Sequence, residues 1–186
     1  MRYKAGIRTR DRIIEATRGL IAEHGLEGTT IKGICERAGV LPGSFYNLFD
    51  SKEQAVLTVV RDAIDAVDPD PDHQGPDSLT DLVNAYIQFM TEQSELARVY
   101  IGIAVSGSRS NPELRGRVIR HHQGRVERFA SAIGQEHPEM SEEEAIQRSE
   151  TLVTALNGIA LHRVLDPEFD VATHARSLLE DALSLA

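Results

Sequence analysis

The segment from position 29 to position 52 carries side chains that could bind both the bases and the phosphates of a DNA duplex. The amide of Asn47 can donate and accept at one base edge, a pairing that is typical of adenine. The hydroxyl of Tyr46 and the ammonium of Lys52 can each bind a phosphate oxygen. These groups can bind DNA together only if the chain holds them on one surface. The secondary structure of this segment therefore decides whether it can bind DNA.

The first part of this segment has the pattern of a short helix that ends in a tight turn. Thr29 and Thr30 are good N-caps for a helix over about 31–37, because a hydroxyl accepts one of the free backbone N–H groups. Gly39 supplies the turn, since glycine reaches positive φ without a steric penalty. The sequence therefore predicts a first short helix followed by a sharp change of direction.

A second and a third helix follow at once. Pro42 favours the first turn of a helix over about 42–48, where its missing N–H costs nothing. Ser51 can cap a longer helix that reaches about Val67. A helix-turn-helix of this kind places its second helix in the DNA major groove, which nominates nucleic-acid binding.

One face of the second helix is predicted to meet DNA. Phe45 and Phe49 are four positions apart, so they share the inward side and leave polar residues on the other. A helix N-terminus adds a phosphate contact, and glycine allows close approach of the backbone. The residues predicted to contact DNA are Thr30, Lys32, Gly43, Ser44, Tyr46, Asn47 and Lys52.

The charge of the chain is unevenly distributed. The net charge is −9, yet residues 1–52 carry +3 and the remaining residues carry −12. A basic front end on an acidic body orients a DNA-binding protein, because phosphates attract the first and repel the second. An excess of +3 is small, and chance clustering explains it equally well.

The residues from about 8 to 60 resemble the N-terminal domain of TetR-family transcriptional regulators. The resemblance is carried by the run from Arg10 to Ala16, by Thr29-Thr30, and by the turn Ala38-Gly39-Val40. It also rests on Gly43-Ser44-Phe45-Tyr46 and on the run from Phe49 to Glu53. At Asn47 and Leu48 the sequence departs from the family, which often has an aromatic residue and a histidine there. The departure is expected to change the operator preference.

Composition favours an all-α fold. Hydrophobic residues make up 41 % of the 186 residues, aromatic residues only 5 %, and tryptophan is absent. The single cysteine excludes an internal disulfide and fits a reducing compartment. The sequence shows no signal peptide and no twenty-residue apolar run, so a cytoplasmic protein with no membrane contact is expected.

Helix-capping and helix-breaking residues predict seven helices besides the two short ones of the helix-turn-helix. A run of prolines and aspartates at 68–76 is the expected loop and domain boundary. Asn111 and Asp170 are predicted caps, and Ser141 opens a capping box. The predicted helices cover about 7–24, 51–67, 79–94, 95–105, 112–134, 141–165 and 171–183.

Together these patterns predict two domains. Residues 1–52 would form the helix-turn-helix domain, and residues 53–186 a helical domain for effector binding and dimerisation, with helix 51–67 connecting them. The roles of the second domain are implied by the resemblance and do not follow from composition.

The predicted helix over 141–165 is apolar nearly all round in its second half, so both of its sides must be covered. It could be the central core helix of a monomer, or it could pair with the last helix in a four-helix dimer interface. TetR-like proteins dimerise through their last two helices, which favours the second interpretation. The candidate interface residues are Leu152, Leu156, Ile159, Leu178, Leu179 and Leu183.

The resemblance also implies an effector pocket in the second domain. Candidate lining residues are those polar or aromatic side chains that interrupt apolar helix faces, although such residues more often belong to ordinary core or surface. They are Tyr86, Phe89, Met90, Tyr100, His121, Phe129 and Asn157. Nothing in the sequence identifies the effector.

Enzymatic and metal-dependent functions receive no support from the sequence. It contains no Gly-rich phosphate loop, nucleophile elbow or HExxH motif, so no catalytic residue or cofactor is expected. His121 and His122 are adjacent and diverge on a helix, and no metal site is expected. We therefore predict a homodimeric regulator that binds a double-stranded DNA operator and responds to a small molecule, most simply as a repressor. The alternative is a helical dimer that binds a small molecule or a partner protein without DNA.

Overall fold

The computed structural model of this protein describes residues 2–66, 68, 77–107 and 112–184. All regular structure in these ranges is helical, as predicted. The helices are α1 (Arg2–Gly28), α2 (Ile31–Ala38), α3 (Pro42–Tyr46), α4 (Lys52–Asp65), α5 (Leu79–Glu92), α6 (Ser94–Gly102), α7 (Pro112–Glu136), α8 (Glu142–Leu165) and α9 (Val171–Leu183). A π-helical turn, Ile103–Gly107, follows α6.

Side-chain caps start the helices where the sequence predicts them. The hydroxyl of Thr30 accepts from the N–H of Gly33 at 3.0 Å and opens α2. Ser51, Ser141 and Asp170 cap α4, α8 and α9 in the same way. Each cap satisfies an N–H group that has no partner inside its helix. The predicted cap Asn111 and the prolines and aspartates of 69–76 lie outside the described residues, as does Val67.

Several predicted helix bounds differ from the structure, most of them by one or two residues, and the clearest differences are in three helices. The first helix begins at Arg2 and not at residue 7, because no proline interrupts these residues, and it passes through Gly25 with a kink at φ 66. The helix α3 ends at Tyr46 and not at Leu48, because the N–H of Leu48 bonds to Phe45 three residues back and tightens the last turn. The helix predicted to reach Val105 ends at Gly102, where the wider π-helical turn begins.

The packing joins both ends of the chain into one body. The helix α1 packs against α2 and also against α4 and α6, while α7 and α8 form the most extensive helix pair. The helix α9 covers α5 and α8, and α6 contacts α1, α4, α5 and α8. The helices α4 and α6 thus contact both the first helix and the helices of the second half, so a change in the second half can reach the first through them.

Candidate nucleic-acid interface and internal cavity

The turn between α2 and α3 is fixed from three sides. Gly39 ends α2 in the left-handed conformation, with φ 60 and ψ 43, as its position predicts. Arg12 on α1 donates to the carbonyl of Gly39 at 2.9 Å, and Arg37 on α2 pairs with Glu23 on α1. Beneath α3, the fully buried ring of Phe45 packs against Phe49. The turn is therefore held rigidly against α1.

The other side of α3 faces solvent. Tyr46 is 57 % exposed, and its ring stands edge-on to the buried Phe45 at a centroid distance of 5.7 Å. Gly43 and Asn47 are exposed and Ser44 is half-buried. The predicted division of this helix into an inward and an outward side is confirmed. We call the outward side, formed by Gly43, Ser44, Tyr46 and Asn47, the recognition face.

The other three predicted DNA contacts are placed differently from one another. Thr30 is exposed at the start of α2, where its hydroxyl already serves as the cap. Lys32 extends into solvent from α2, with its ammonium 3.8 Å from Glu36. The ammonium of Lys52 donates to the carbonyl of Leu26 at 3.0 Å, which ties the start of α4 to the end of α1. A phosphate contact by Lys52 would have to share or replace this bond.

One exposed residue beside the recognition face was missed by the sequence analysis. Leu41 is 77 % exposed at the N-cap position of α3. An aliphatic side chain at this place can contact the methyl group of thymine in the major groove. Its aliphatic side chain has no hydrogen-bonding group, so no pattern in the sequence indicated that it could contact DNA.

An internal cavity of about 380 Å³, partly open to solvent, lies between α4, α5, α6, α7 and α8. All seven residues predicted to line an effector pocket line this one cavity. Its wall also contains three arginines that the sequence analysis did not select, namely Arg61, Arg125 and Arg128. Arg125 and Arg128 could have been predicted from the sequence. Together with His121 they follow the i, i+4, i+7 pattern of one face of α7.

Polar groups in the cavity wall have shifted pKa values. Burial raises the pKa of the Tyr86 and Tyr100 hydroxyls, and Arg125 opposes this shift in part. Burial, together with the positive charge of Arg125, lowers the pKa of His121 to about 4. The hydroxyl of Tyr86 donates to the carbonyl of Leu156 at 2.7 Å. At neutral pH the two tyrosines and the histidine are therefore uncharged.

Arg128 links two aspartates at one end of the cavity. Its Nη2 lies 2.7 Å from an oxygen of Asp68 and 2.7 Å from an oxygen of Asp77. These hydrogen bonds raise the pKa of Arg128. Asp68 and Asp77 flank residues 69–76, so the arginine holds the two ends of that segment at the same place.

A second cavity of about 430 Å³ adjoins the first. The two share Arg61, Ile64, Tyr100 and His121 in their walls. The helix α4 contributes a wall of both cavities and also begins at the base of the helix-turn-helix. It is therefore placed to respond to the contents of either cavity.

Most of the predicted dimer residues are buried within the protomer. The protomer's own core buries four of the six, namely Leu152, Leu156, Ile159 and Leu179. In the protomer, other residues of the same chain cover these four side chains. Leu178 is half-buried and Leu183 stays accessible.

The outer side of α8 presents other apolar residues. Leu161 is 48 % exposed and Leu165 is 72 % exposed. A Cβ added at Gly158 would meet no atom within 4 Å, so this helix face has room for close approach of another helix. We call Gly158, Leu161 and Leu165, together with Leu183 on α9, the outer apolar face.

The described residues provide no metal site, no reactive thiol and no helix that could span a membrane. Residues 2–66, 68, 77–107 and 112–184 contain no group of three His, Cys, Asp or Glu side chains placed to hold a metal ion. The thiol of Cys35 is buried in α2, which raises its pKa and disfavours the reactive thiolate. No helix in these ranges combines the length and apolarity that crossing a bilayer requires.

The fold and the recognition face define a helix-turn-helix DNA-binding domain joined to a helical body that contains cavities. Residues 13–58 match the family model of the bacterial regulatory proteins of the tetR family. The HTH-type transcriptional repressor KstR2 of Mycolicibacterium smegmatis is 43 % identical over 56 residues, which are 30 % of this chain and 27 % of KstR2. Both matches lie in the N-terminal segment of the chain, which is similar to the DNA-binding domain of TetR-family regulators.

Similarity to solved structures extends over nearly the whole chain. A TetR transcription regulator from Haloarcula marismortui aligns with a TM-score of 0.77 and 17 % identity, over 94 % of this chain and 96 % of that one. The regulator FadR from Bacillus subtilis, solved in complex with stearoyl-CoA, aligns with a TM-score of 0.67 and 20 % identity, over 93 % and 97 %. These identities show a shared fold. The matched segment of KstR2 covers less than a third of that protein's length.

Proposed function

We propose that this protein is a transcriptional repressor that binds a palindromic DNA operator as a homodimer and releases it when a small molecule fills the internal cavity. The observation that carries the proposal is the recognition face, where Tyr46 and Asn47 are exposed at the end of α3, and α1 holds the turn that precedes this helix. The name of KstR2 supports repression, and the stearoyl-CoA complex of FadR supports a small-molecule effector. The domain division at about residue 52 is part of this proposal.

The recognition face supplies the chemistry of operator binding. Asn47 pairs with an adenine edge, the hydroxyl of Tyr46 binds a phosphate, and Gly43 lets the backbone approach. Thr30 and Lys32 add contacts from α2, and Lys52 adds one at the start of α4. Two copies on a dimer double the number of base contacts and require half-sites one helical turn, or a multiple of it, apart.

The coupling between cavity and DNA runs through α4. Arg61 and Ile64 line the cavity near the end of this helix, while Lys52 binds α1 at its beginning. A ligand that favours a different position of α4 changes the spacing of the two recognition faces. It weakens DNA binding only by its difference in affinity for the two spacings.

Fluorescence anisotropy tests the operator contacts. The full-length protein is titrated onto DNA from the region flanking its coding sequence, with scrambled competitor, at two salt concentrations. We expect Asn47→Ala to relax sequence preference, and Tyr46→Ala to weaken binding to all sequences about equally. Gln88→Ala on the exposed side of α5 is the control. Binding that disappears as salt rises, with no loss in either variant, would contradict the proposal.

The dimer is tested through the outer apolar face. Gly158→Leu fits the protomer, since a Cβ there meets no atom, but it would obstruct a helix packed against this face. We expect sedimentation equilibrium to show a weaker dimer for Gly158→Leu and an unchanged one for Asn84→Leu on the exposed side of α5. An unchanged dimer in both variants would place the interface elsewhere.

A further inference from the structure

One charge in the cavity, that of Arg125, has no counter-charge among the described residues. Arg125 on α7 is half-buried in the cavity wall, where it interacts electrostatically with Tyr86 and Tyr100. Within the described part of the chain, its guanidinium makes one hydrogen bond, from Nη1 to Oδ1 of Asn157 at 3.1 Å, and no ion pair. A guanidinium has five N–H donors, so most of them have no acceptor among these residues.

The next arginine on the same helix face, by contrast, has acidic partners. Arg128, three residues further on, lines the same cavity, and the carboxylates of Asp68 and Asp77 both bind it. Arg128 therefore has two acidic partners. Arg125 has none among the described residues. The contrast indicates that the described residues leave a place beside Arg125 for an anionic partner.

The groups around Arg125 give it no compensation. Tyr86 and Tyr100 stay protonated at neutral pH because burial raises their pKa. His121 is neutral there and supplies no negative charge in either of its protonation states. Loss of hydration lowers the pKa of Arg125, yet an arginine keeps its charge in proteins. A half-buried cation without a counter-ion among the described residues loses part of its hydration, and a bound anion would compensate for that loss.

Apolar side chains also line the cavity. Phe89, Met90 and Phe129 form much of its wall. A volume of about 380 Å³ lies toward the small end of ligand pockets, which span about 300–1,000 Å³. The ligand therefore needs one anionic group and a small apolar body.

We propose that the cavity binds a small organic carboxylate, whose two oxygens pair with the guanidinium of Arg125 while its apolar body lies among Phe89, Met90 and Phe129. The proposal rests on the proposed function, because it names the chemical class of the effector. A planar guanidinium matches a carboxylate with two parallel hydrogen bonds, which an uncharged amide cannot reproduce.

Isothermal titration calorimetry on the full-length protein without DNA tests this site. The probes are octanoate and 4-phenylbutyrate, each compared with its primary amide, so that aliphatic and aromatic acids are distinguished. We expect at least one acid to bind about tenfold or more tightly than its amide. Arg125→Met should remove this preference, and Arg125→Lys should keep part of it through charge alone. Arg98→Met, at an exposed ion pair on α6, should leave it unchanged.

Three results would overturn the proposal. The first is equal binding of acid and amide in both pairs, or dissociation constants above about 1 mM for both acids. The second is a preference that survives in Arg125→Met. The third is a lower melting temperature of ligand-free Arg125→Met, because a charge kept for a ligand should leave stability equal or higher when it is removed.

The same measurements separate this proposal from the proposed function. An acid that binds through Arg125 but leaves the anisotropy of a protein–operator complex unchanged would refute the ligand response and leave the carboxylate site standing. Loss of operator binding with another ligand class, combined with no acid preference, would refute the carboxylate site alone.

Discussion

The guanidinium of Arg12 donates to the carbonyl oxygen of Gly39 at 2.9 Å and also to the carbonyl of Ala38. It thereby places a positive charge at the C-terminus of α2, where the helix dipole favours cations. The same Nη2 atom would lie 2.8 Å from a Cβ added at Gly39. The turn of the helix-turn-helix thus depends on an arginine that lies 27 positions earlier in the chain.

Gly39→Ala is expected to lower the free energy of unfolding by roughly 1–2 kcal/mol, because a Cβ in the left-handed region is strained and also meets Arg12. Urea denaturation measures the change. In an Arg12→Met background the same substitution should cost less, since the conformational strain remains and the contact with the guanidinium does not. Equal costs in the two backgrounds would contradict the contact between the two residues.

Phe45→Ala is expected to cost about 3–5 kcal/mol of stability, because a fully buried aromatic ring leaves a cavity when it is truncated. Its neighbour Tyr46 is the matched control. Tyr46→Ala should change stability by no more than about 0.5 kcal/mol, since the ring is largely exposed. Thermal and urea denaturation followed by circular dichroism compare the two.

In DNA binding the order of effects should be the reverse: a change at Tyr46 should matter more than a change at Phe45, provided that both proteins are folded. Tyr46→Ala is expected to weaken operator binding roughly five- to tenfold, the value of one hydrogen bond. Phe45→Leu, which keeps an apolar core residue, should bind operator almost normally at temperatures where it is folded. A Tyr46→Ala protein with unchanged affinity would remove Tyr46 from the interface.

Arg128→Met is expected to lower the free energy of unfolding by roughly 2–4 kcal/mol, because it leaves two mostly buried carboxylates without their shared cation. Urea denaturation of the variant measures this loss. Replacing Asp68 and Asp77 by asparagine in the same variant should restore part of it. Arg98→Met removes an exposed pair with Glu95 and should cost less than about 1 kcal/mol. Similar losses in the two single variants would contradict the structural role of Arg128.

The neutral state of His121 predicts an acid-sensitive fold. Its pKa is about 4 in the folded protein, below the ordinary value of 6.5, because it is buried beside Arg125. The unfolded chain therefore binds a proton below about pH 6.5, while the folded chain binds it only near pH 4. Stability should fall as the pH falls through this window, by roughly 1–2 kcal/mol between pH 7 and pH 5.

Two measurements check this expectation. Urea denaturation of His121→Gln should show a smaller loss of stability between pH 7 and pH 5 than the wild-type protein. An NMR titration should find the imidazole of His121 still neutral at pH 5.5. A wild-type slope retained in the variant would assign the acid sensitivity to other groups.

The sequence predicted the helix-turn-helix well because its determinants are local. A capping hydroxyl at Thr30, a left-handed glycine at Gly39 and a helix-starting Pro42 each act within a few residues. The inward position of Phe45 follows from helix periodicity alone. The family resemblance added the roles of the exposed residues, which periodicity cannot supply.

The tertiary features could not be predicted from local pattern. Leu156 and Leu165 are both leucines of one apolar helix, yet only the packing of the other helices decides that the first is core and the second is exposed. The pairing of Arg128 with Asp68 and Asp77 joins positions about 50 to 60 residues apart. The isolation of Arg125 likewise depends on which carboxylates the fold brings near, so no spacing rule reveals it.

The double pairing of Arg128 has a consequence for engineering this protein. Asp68 and Asp77 are anchored to a single side chain, so the two ends of residues 69–76 are already brought together in the folded state. Lengthening a connection between fixed ends costs only about 0.6 kcal/mol for each doubling of its length. A fluorescent reporter peptide grafted between these aspartates should therefore be tolerated, and it would sit directly beside the cavity whose filling it is meant to detect.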